Sequence, residues 1–471
     1  MNLLVLTLLS LLGGGGGNDL LDYVPTDVYW NARHVVVSVD AMASELKPVT
    51  DQDIAHWIAD LDSADPQSRE AAYWKLLDSG PTALPKLKKI ADSTTPEPAQ
   101  RAAALIAQID ATPKCEAVRR LMAIRALGEL KKPEAIPVLR EFLDSKEMFV
   151  ADYARTAIAQ IEGKPAERAR AAGTDRDVWL FPSECRAIAH VEFRIGRPID
   201  YAAVFKQFPL PNEQDLQATI DFIANQALSA AEAVGNVRLD ALTIGISGNA
   251  SENGGYAIVI AAGQYDAAAL DQFARKLKIV FKTVGGQDIF QPDPDTSAYL
   301  ASNNRLVLLA RPKNQDGPLA DMIAAMKSGE GKLKTVPEMV NLLGKVDVNQ
   351  PIWAAMKVTD AYRKLSMLAA FDEVTLVGRR DGAGMRLTVR GTGPAPAKVK
   401  SAADLATSAI AQSAKEIRQM ASTSPALRII ADLLDGAKVA ADGNGASITV
   451  DVPELPAVST PGQKDTPASK E

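Results

Sequence analysis

The chain has 471 residues, which is enough for two or three domains of ordinary size, each with its own core. Its hydrophobic content of 47% and mean hydropathy of -0.05 indicate a soluble globular protein. With 52 basic and 58 acidic residues the net charge is -6, which excludes a chain-wide attraction to nucleic acid or anionic lipid. The two cysteines, Cys115 and Cys185, are too few for a disulfide framework and are predicted to pack as small apolar side chains, with a single bridge between them as the alternative.

Residues 1–18 have features of a secretory signal peptide. Residues 3–12 form an apolar run interrupted only by Thr7 and Ser10, and a row of glycines follows it. This run is too short to span a bilayer as a helix, which needs about 20 residues, but it fits the apolar part of a signal peptide. No Lys or Arg precedes the run, and no Ala-x-Ala site follows it. The sequence therefore predicts a periplasmic or extracellular protein, with a cytoplasmic location as the alternative and no other membrane-spanning stretch.

Residues 19–50 are predicted to contribute one strand that leads into the rest of the chain. Residues 35–39 are rich in valine, and β-branched side chains favour a strand. Because a lone strand cannot bury itself, we expect it to pair with the C-terminal part of the chain. On this interpretation the segment that follows is inserted after the first strand of a sheet domain.

Residues 51–163 carry a repeated helical pattern. Ile54, Trp57, Ile58 and Leu61 have the spacing of one helix face. Alanines and leucines then lead to a glycine, which can end a helix with a positive φ, and to a proline, which can open the next helix. Copies of this phrase lie at residues 69–87 and 124–139, with a shorter one at residues 101–106.

The phrase resembles HEAT repeats of the short bacterial kind, including those of the phycobilin lyases. The resemblance implies an α-solenoid in which helical hairpins stack, each completing the apolar face of its neighbour. About seven helices are expected in the segment. An ordinary alanine-rich helical bundle is the alternative. Only scaffold positions match the lyases, so no catalytic residue is carried over from them.

The remainder is predicted to be a duplicated α+β domain with antiparallel sheets. Residues 164–176 lack an apolar stripe and are interpreted as a linker. In residues 177–345, and again in residues 346–452, the pattern runs strand, helix, hairpin, helix, hairpin, which predicts two related halves covered by helices. Residues 453–471 have almost nothing to bury and are expected to be disordered. The predicted fold class is therefore α+β, with an N-terminal solenoid of HEAT-like hairpins.

The sequence offers no residue set for catalysis, cofactor binding or metal binding. The three histidines, His34, His56 and His190, are dispersed along the chain. A zinc site on His190 and Cys185 would lack two of the four ligands that tetrahedral coordination requires. The glycines in residues 380–384 lie between two predicted strands and are interpreted as turn residues, not as a phosphate loop. No site residue and no cofactor is predicted, and the pattern favours a protein that is not an enzyme.

These features favour a non-catalytic scaffold, exported from the cell, whose solenoid surface binds a protein partner. No nucleic-acid partner is expected. Two alternatives stay open. One is an enzyme of the lyase type, because phycobilin lyases are also built from HEAT-like units. The other is a periplasmic ligand-binding protein with a pocket between the two sheet halves, which a large apolar cavity would favour.

Overall fold

The computed structural model describes most of the chain in ten stretches. The predicted signal peptide, the predicted C-terminal tail and most of the predicted linker lie outside them. The described residues are 19–92, 96–164, 174–193, 213–248, 255–302, 304–310, 316–364, 368–381, 384–420 and 425–452.

The N-terminal part of the described chain is helical. A 3-10 turn at Leu20–Tyr23 precedes two short helices, α1 (Thr26–Asn31) and α2 (Val39–Glu45). The described part of residues 51–163 then contains seven α-helices, which is the number expected from the repeated pattern. They are α3 (Asp51–Asp60), α4 (Pro66–Asp78), α5 (Leu84–Ala91), α6 (Pro96–Ala111), α7 (Cys115–Glu129), α8 (Ile136–Arg140) and α9 (Val150–Ile161).

Local chemistry explains where the first repeat helices begin and end. Thr50 Oγ1 accepts the Asp53 N–H at 3.1 Å, and the Asp53 carboxylate accepts the Thr50 N–H at 2.9 Å, which is a capping box at the start of α3. Asp65 accepts N–H groups of the first turn of α4 at 2.9 and 3.3 Å, and Pro66 opens that helix. Gly80 follows α4 with a φ of 55°, as the Gly-Pro pattern predicts.

The second glycine of the pattern has a different role from the predicted one. Gly128 lies inside α7, and the residue with a positive φ beyond this helix is Lys131. A Cβ on Gly128 would lie 2.8 Å from the Cα of Ala157 in α9. The prediction of a helix-ending glycine is therefore wrong here, because close packing of α7 on α9 is what requires the missing side chain.

The predicted strand at residues 35–39 is also wrong. Val35 donates its N–H to the Trp30 carbonyl at 3.0 Å and so closes α1, and Ser38 Oγ accepts the Ala41 N–H at 3.1 Å and so caps α2. The β-branched residues stand in the short connection between these two helix ends, where Val36 is 84% exposed. The β-branched residues do not form a strand because the hydrogen bonds on both sides fix the ends of two helices.

The C-terminal part combines strands and helices. Its helices are α10 (Thr174–Asp177), α11 (Glu213–Val234), α12 (Ala267–Lys276), α13 (Gly317–Ser328), α14 (Pro337–Leu343), α15 (Asp360–Arg363), α16 (Pro396–Met420) and α17 (Pro425–Asp435). Its strands are β1 (Cys185–Glu192), β2 (Arg238–Ser247), β3 (Ala257–Gln264), β4 (Val280–Val284), β5 (Gln287–Asp293), β6 (Thr296–Ser302), β7 (Arg305–Ala310), β8 (Ile352–Lys357), β9 (Glu373–Asp381), β10 (Gly384–Thr392), β11 (Lys438–Asp442) and β12 (Gly445–Val452).

The strands form one twelve-stranded sheet, and each neighbouring pair is antiparallel. Its order is β11-β12-β10-β9-β8-β1-β2-β3-β7-β6-β5-β4. The two predicted halves therefore share a single sheet, which they join where β1 pairs with β8, with Ala189 opposite Ala354. A helical N-terminal part followed by an antiparallel sheet with helices confirms the α+β class.

Three large buried clusters hold these parts together. One lies among α3 to α6 and includes Ile54, Leu76 and Leu105. The second is centred on α7 and also takes in Trp30 from the N-terminal segment and Ala227 from α11. The third lies between the sheet and α13 and α14. Because the second cluster contains residues from the N-terminal segment, the repeats and α11, the helical region and the sheet region share a core.

Candidate interaction surfaces

Both cysteines are buried and unpaired. Cys115 begins α7, and Cys185 begins β1. Burial raises the pKa of each thiol to about 12, so neither is a thiolate at neutral pH. They pack as the small apolar side chains that the sequence predicted, and they offer no nucleophile.

The three histidines have different neighbours in the structure. His190 is buried in β1, where its Nδ1 lies 2.8 Å from Thr243 Oγ1 and its ring stacks on Trp353 at 5.5 Å. His34 and His56 are at the surface, at 3.3 and 3.5 Å from acidic side chains. Within the described stretches no group of three His, Cys, Asp or Glu side chains could hold a metal ion. The histidines therefore do not converge on a site.

The helical region presents the outer faces of its helices to solvent. α3 packs on α4, α5 packs on α6, α4 contacts both α6 and α7, and α9 packs on α7 and α8. Ten of the fifteen residues of α7 are buried, because α2, α4, α9 and α11 pack around it. The exposed residues lie on the outer helices, for example His56 on α3, Lys88 on α5 and Ala104 on α6. These outer faces form the surface that a partner of the helical region could contact.

One face of the sheet carries an apolar row that crosses all twelve strands. Side chains of paired residues point to the same face, so the register defines the row. All of its members are partly exposed except Ala298, which is buried. We call this the apolar row: Val439, Ile448, Val389, Leu376, Ala354, Ala189, Ile244, Val259, Leu308, Ala298, Phe290 and Phe281.

Helices cover this face near β11 and β12. Val399 and Ala403 of α16 pack with Ala446 and with Val439, which is the first member of the apolar row. The opposite face is different, because its central residues, such as Trp353 and Ile260, are buried in the cluster beneath α13 and α14. A partly exposed apolar stripe of this length is unusual on a monomer and is typical of a contact surface.

A buried group of charged side chains joins three parts of the chain. Arg33, which follows α1, donates hydrogen bonds to both carboxylate oxygens of Asp78, at 2.8 and 3.0 Å, and one to Glu232 of α11 at 3.1 Å. The three side chains are 3%, 5% and 11% exposed. The guanidinium carbon lies 3.6 Å from the ring centre of Tyr29 and 4.7 Å from that of Trp74. We call Arg33, Asp78 and Glu232 the charged junction.

The charged junction has two carboxylates for one guanidinium. Burial raises the pKa of Glu232 to about 7, and the negative charge of Asp78 adds to this effect while Arg33 opposes it. Burial also raises the pKa of Asp78, again against the opposing effect of Arg33. Burial and the charge of Asp78 therefore both favour the protonated form of Glu232, and Arg33 favours the ionised form.

Further ion pairs fix the surroundings of the charged junction. Glu45 of α2 pairs with Lys75 of α4 and accepts a hydrogen bond from Arg119 of α7 at 3.1 Å. Elsewhere, Arg238 at the start of β2 bonds Asp152 of α9 at 3.1 Å. These contacts tie the N-terminal segment to the repeats and the repeats to the sheet.

One part of the chain is similar to a known protein family. A family model described as PBS lyase HEAT-like repeat matches residues 119–145. The helical region contains a HEAT-like repeat. The matched HEAT-like repeat takes in most of α7, the 3-10 turn Pro133–Ala135 and α8, so it is one helix-turn-helix unit.

Solved structures give a more distant similarity, and no curated protein matches the chain. Crystal form III of TP0453 is 9% identical, with 58% of this chain and 92% of that chain covered and a TM-score of 0.30. Crystal form IV of TP0453 is also 9% identical, with 57% and 91% covered and a TM-score of 0.30. The HEAT-like repeat is therefore the similarity that bears on function.

Two features of these surfaces escaped the sequence-based prediction for different reasons. The members of the charged junction are 45 and 199 residues apart, and no local spacing connects them. The members of the apolar row lie in apolar stretches that are visible in the sequence, for example in β3, β7 and β8. However, aligning twelve such strands requires the pairing register, which the sequence does not supply.

Proposed function

We propose that the protein is a non-catalytic binding protein whose helical region is a docking scaffold for a protein partner. The HEAT-like repeat at residues 119–145, set within seven consecutive helices, carries this proposal. Repeats of this kind expose extended surfaces because each unit contacts mainly its neighbours. The packing of α3 on α4, α5 on α6 and α7 on α9 supports a stacked, solenoid-like arrangement.

In this proposal the sheet region arose by duplication and supports the scaffold. Outward from the β1–β8 pair, the strand order is β1-β2-β3-β7-β6 on one side and β8-β9-β10-β12-β11 on the other. In the first series β3 is followed by β7, the second strand of the hairpin β6–β7. In the second series β10 is followed by β12, the second strand of the hairpin β11–β12. This shared order supports two related halves, the first of which carries the additional hairpin β4–β5.

Site-specific blocking of the full-length chain tests the scaffold. Because both native cysteines are buried, a cysteine introduced by Ala104→Cys on α6 can be labelled selectively with a bulky polymer. We expect this label to abolish capture of a partner from a cell-envelope extract. The matched label at Ala440→Cys, exposed on β11, should leave capture intact. Equal capture by both labelled proteins would contradict the proposal.

We also propose that the protein is exported to the periplasm or beyond the cell. The apolar run at residues 3–12, with small residues after it, supports this location. Across the described residues, no helix is both long and apolar enough to cross a membrane. N-terminal sequencing of the mature chain from fractionated cells tests export. A chain beginning near Asp19 in the envelope fraction supports export, and an intact Met1 in the cytosol opposes it.

The apolar row favours a second candidate, the binding of an apolar ligand along the sheet. Leu376 is a partly exposed member of the row on β9, and its neighbour Thr375 points to the other face. If the row binds a ligand, Leu376→Arg should abolish uptake of a fluorescent fatty acid, and Thr375→Arg should not. Equal uptake by the two variants, or none by the wild type, would remove this candidate.

A further inference from the structure

The charged junction lies where the helical region meets the sheet region. Arg33 belongs to the N-terminal segment, Asp78 ends α4, and Glu232 lies in the last turns of α11. The main-chain carbonyl of Glu232 accepts the N–H of Lys114, directly before α7, at 2.8 Å. Glu232 is thus held against the repeats by a backbone contact, which is independent of pH, and by a side-chain contact that depends on its charge.

The groups around Glu232 leave its charge poorly compensated. Arg33 is the cation in contact with it, and this guanidinium is already bound at two points by Asp78. The Tyr29 hydroxyl and the Cys115 thiol also face this site and bring no positive charge. Helix α11 therefore adds a second carboxylate to a buried pair that is already complete.

The other charged side chains nearby affect the pKa of Asp78 and make no ion pair with Glu232 among the described residues. Arg119 and Glu45 both influence Asp78. They are engaged with each other at 3.1 Å, and Lys75 pairs with Glu45 as well. No cation of this neighbouring group is recorded in contact with Glu232 among the described residues.

We propose that the charged junction is a proton-dependent clamp between the helical region and α11. The two regions are held most firmly when Glu232 is uncharged, and the contact weakens when this carboxyl ionises. Because α11 leads directly into β2, the clamp couples the position of the repeats to the sheet. This inference concerns the contact between regions and does not depend on the proposed partner or ligand.

The sign of the effect follows from the two ionisation states. The folded protein raises the pKa of Glu232 from its ordinary 4.5 to about 7, so between these values the folded state binds more protons than the unfolded state. Stability from this group is complete below about pH 4.5 and is lost as pH rises toward 7. Between about pH 6 and about pH 8, the loss corresponds to roughly a tenfold larger unfolding constant.

Urea unfolding of the full-length chain at several pH values tests the clamp. We expect the wild type to lose about tenfold in its folding equilibrium between pH 6 and pH 8, and E232Q to lose most of that dependence. The difference between the two proteins isolates the contribution of Glu232 from that of every other titrating group of the chain. E134Q, at an exposed site between α7 and α8, should behave as the wild type. If E232Q retains the wild-type pH dependence, the clamp is wrong.

A second measurement needs no variant. Hydrogen exchange of the wild type, corrected for the intrinsic effect of pH, reports on local opening of residues 72–80 and 226–234. Protection of both segments should fall about tenfold from pH 6 to pH 8, and protection of β9 should fall by no more than this, because amides that exchange only on global unfolding follow the same unfolding constant. No change in the two segments, or a larger fall in β9 than in them, would overturn the proposal even if E232Q does not fold.

Discussion

At the scale of single residues, Asp78 is the member of the charged junction with the best-defined role. Its carboxylate accepts two hydrogen bonds from Arg33, and its side chain is 5% exposed. Without Asp78, Arg33 would keep the Glu232 carboxyl as a partner but would lose two buried hydrogen bonds to a charged group. A substitution of Asp78 should therefore cost more stability than the same substitution in an exposed ion pair.

We expect Asp78→Ala to lower the free energy of unfolding by about 1.5 to 3 kcal/mol, because Arg33 would lose two buried charge-assisted hydrogen bonds and keep only its contact with Glu232. Urea unfolding measures this change. The comparison is Glu97→Ala, which breaks an exposed pair with Arg101 and should cost at most about 1 kcal/mol. Similar losses in the two variants would show that burial of the charged junction contributes little.

Residue types alone were enough to predict the environment of the two cysteines. The sequence predicted that Cys115 and Cys185 pack as small apolar side chains, and both are buried and unpaired. It could not show that Arg33 meets Glu232, because this contact depends on how two distant helices pack. The residue types did not predict this burial either, because charged side chains are mostly exposed to solvent.

At the scale of elements, the contact between α7 and α9 depends on one glycine. Gly128 brings the two helices so close that an added Cβ would lie 2.8 Å from the Ala157 Cα and 2.9 Å from its Cβ. The backbone of α9 would have to move to accept any side chain. This close approach occurs within the HEAT-like repeat itself.

Gly128→Ala should therefore destabilise the protein by about 1 to 3 kcal/mol, as overpacking does in a filled core. Thermal unfolding followed by circular dichroism measures the effect. Gly317→Ala is the matched substitution, since no atom would lie within 4 Å of its new Cβ, and it should be neutral or slightly stabilising. A Gly128→Ala variant that is more stable than the wild type would contradict the close approach of α7 to Ala157 of α9.

The elements also show where sequence patterns succeed and where they fail. The strands β2 and β3, β9 and β10, and β11 and β12 match predicted hairpins, because strand alternation and turn residues agree at each of them. Residues 35–39 have strand propensity, but they form the connection between two helices whose ends are fixed by hydrogen bonds. A short β-branched run without turn signals on both sides is a weak predictor.

At the scale of the whole molecule, the repeats share a core with α11, the helix that leads into β2 of the sheet. The sequence predicted the α+β class and the helical repeats, because both follow from local periodicity. It also predicted that a strand at residues 35–39 pairs with the sheet region, which is wrong. The N-terminal segment instead contacts that region through a bridge between Asp19 and Arg238, a hydrogen bond from the Leu20 N–H to the Val237 carbonyl at 2.9 Å, and the hydrogen bond from Arg33 to Glu232. The continuous twelve-stranded sheet was not predicted, since joining β1 to β8 depends on long-range pairing.

The structure of the protein with its captured partner would test the central claim most directly. The account predicts that the partner contacts the outer faces of the helices between residues 51 and 163, including the HEAT-like repeat at residues 119–145. Cryo-electron microscopy of the full-length complex can locate the partner at the level of single helices. A partner seated only on the sheet, with the helices between residues 51 and 163 left free, would contradict the account.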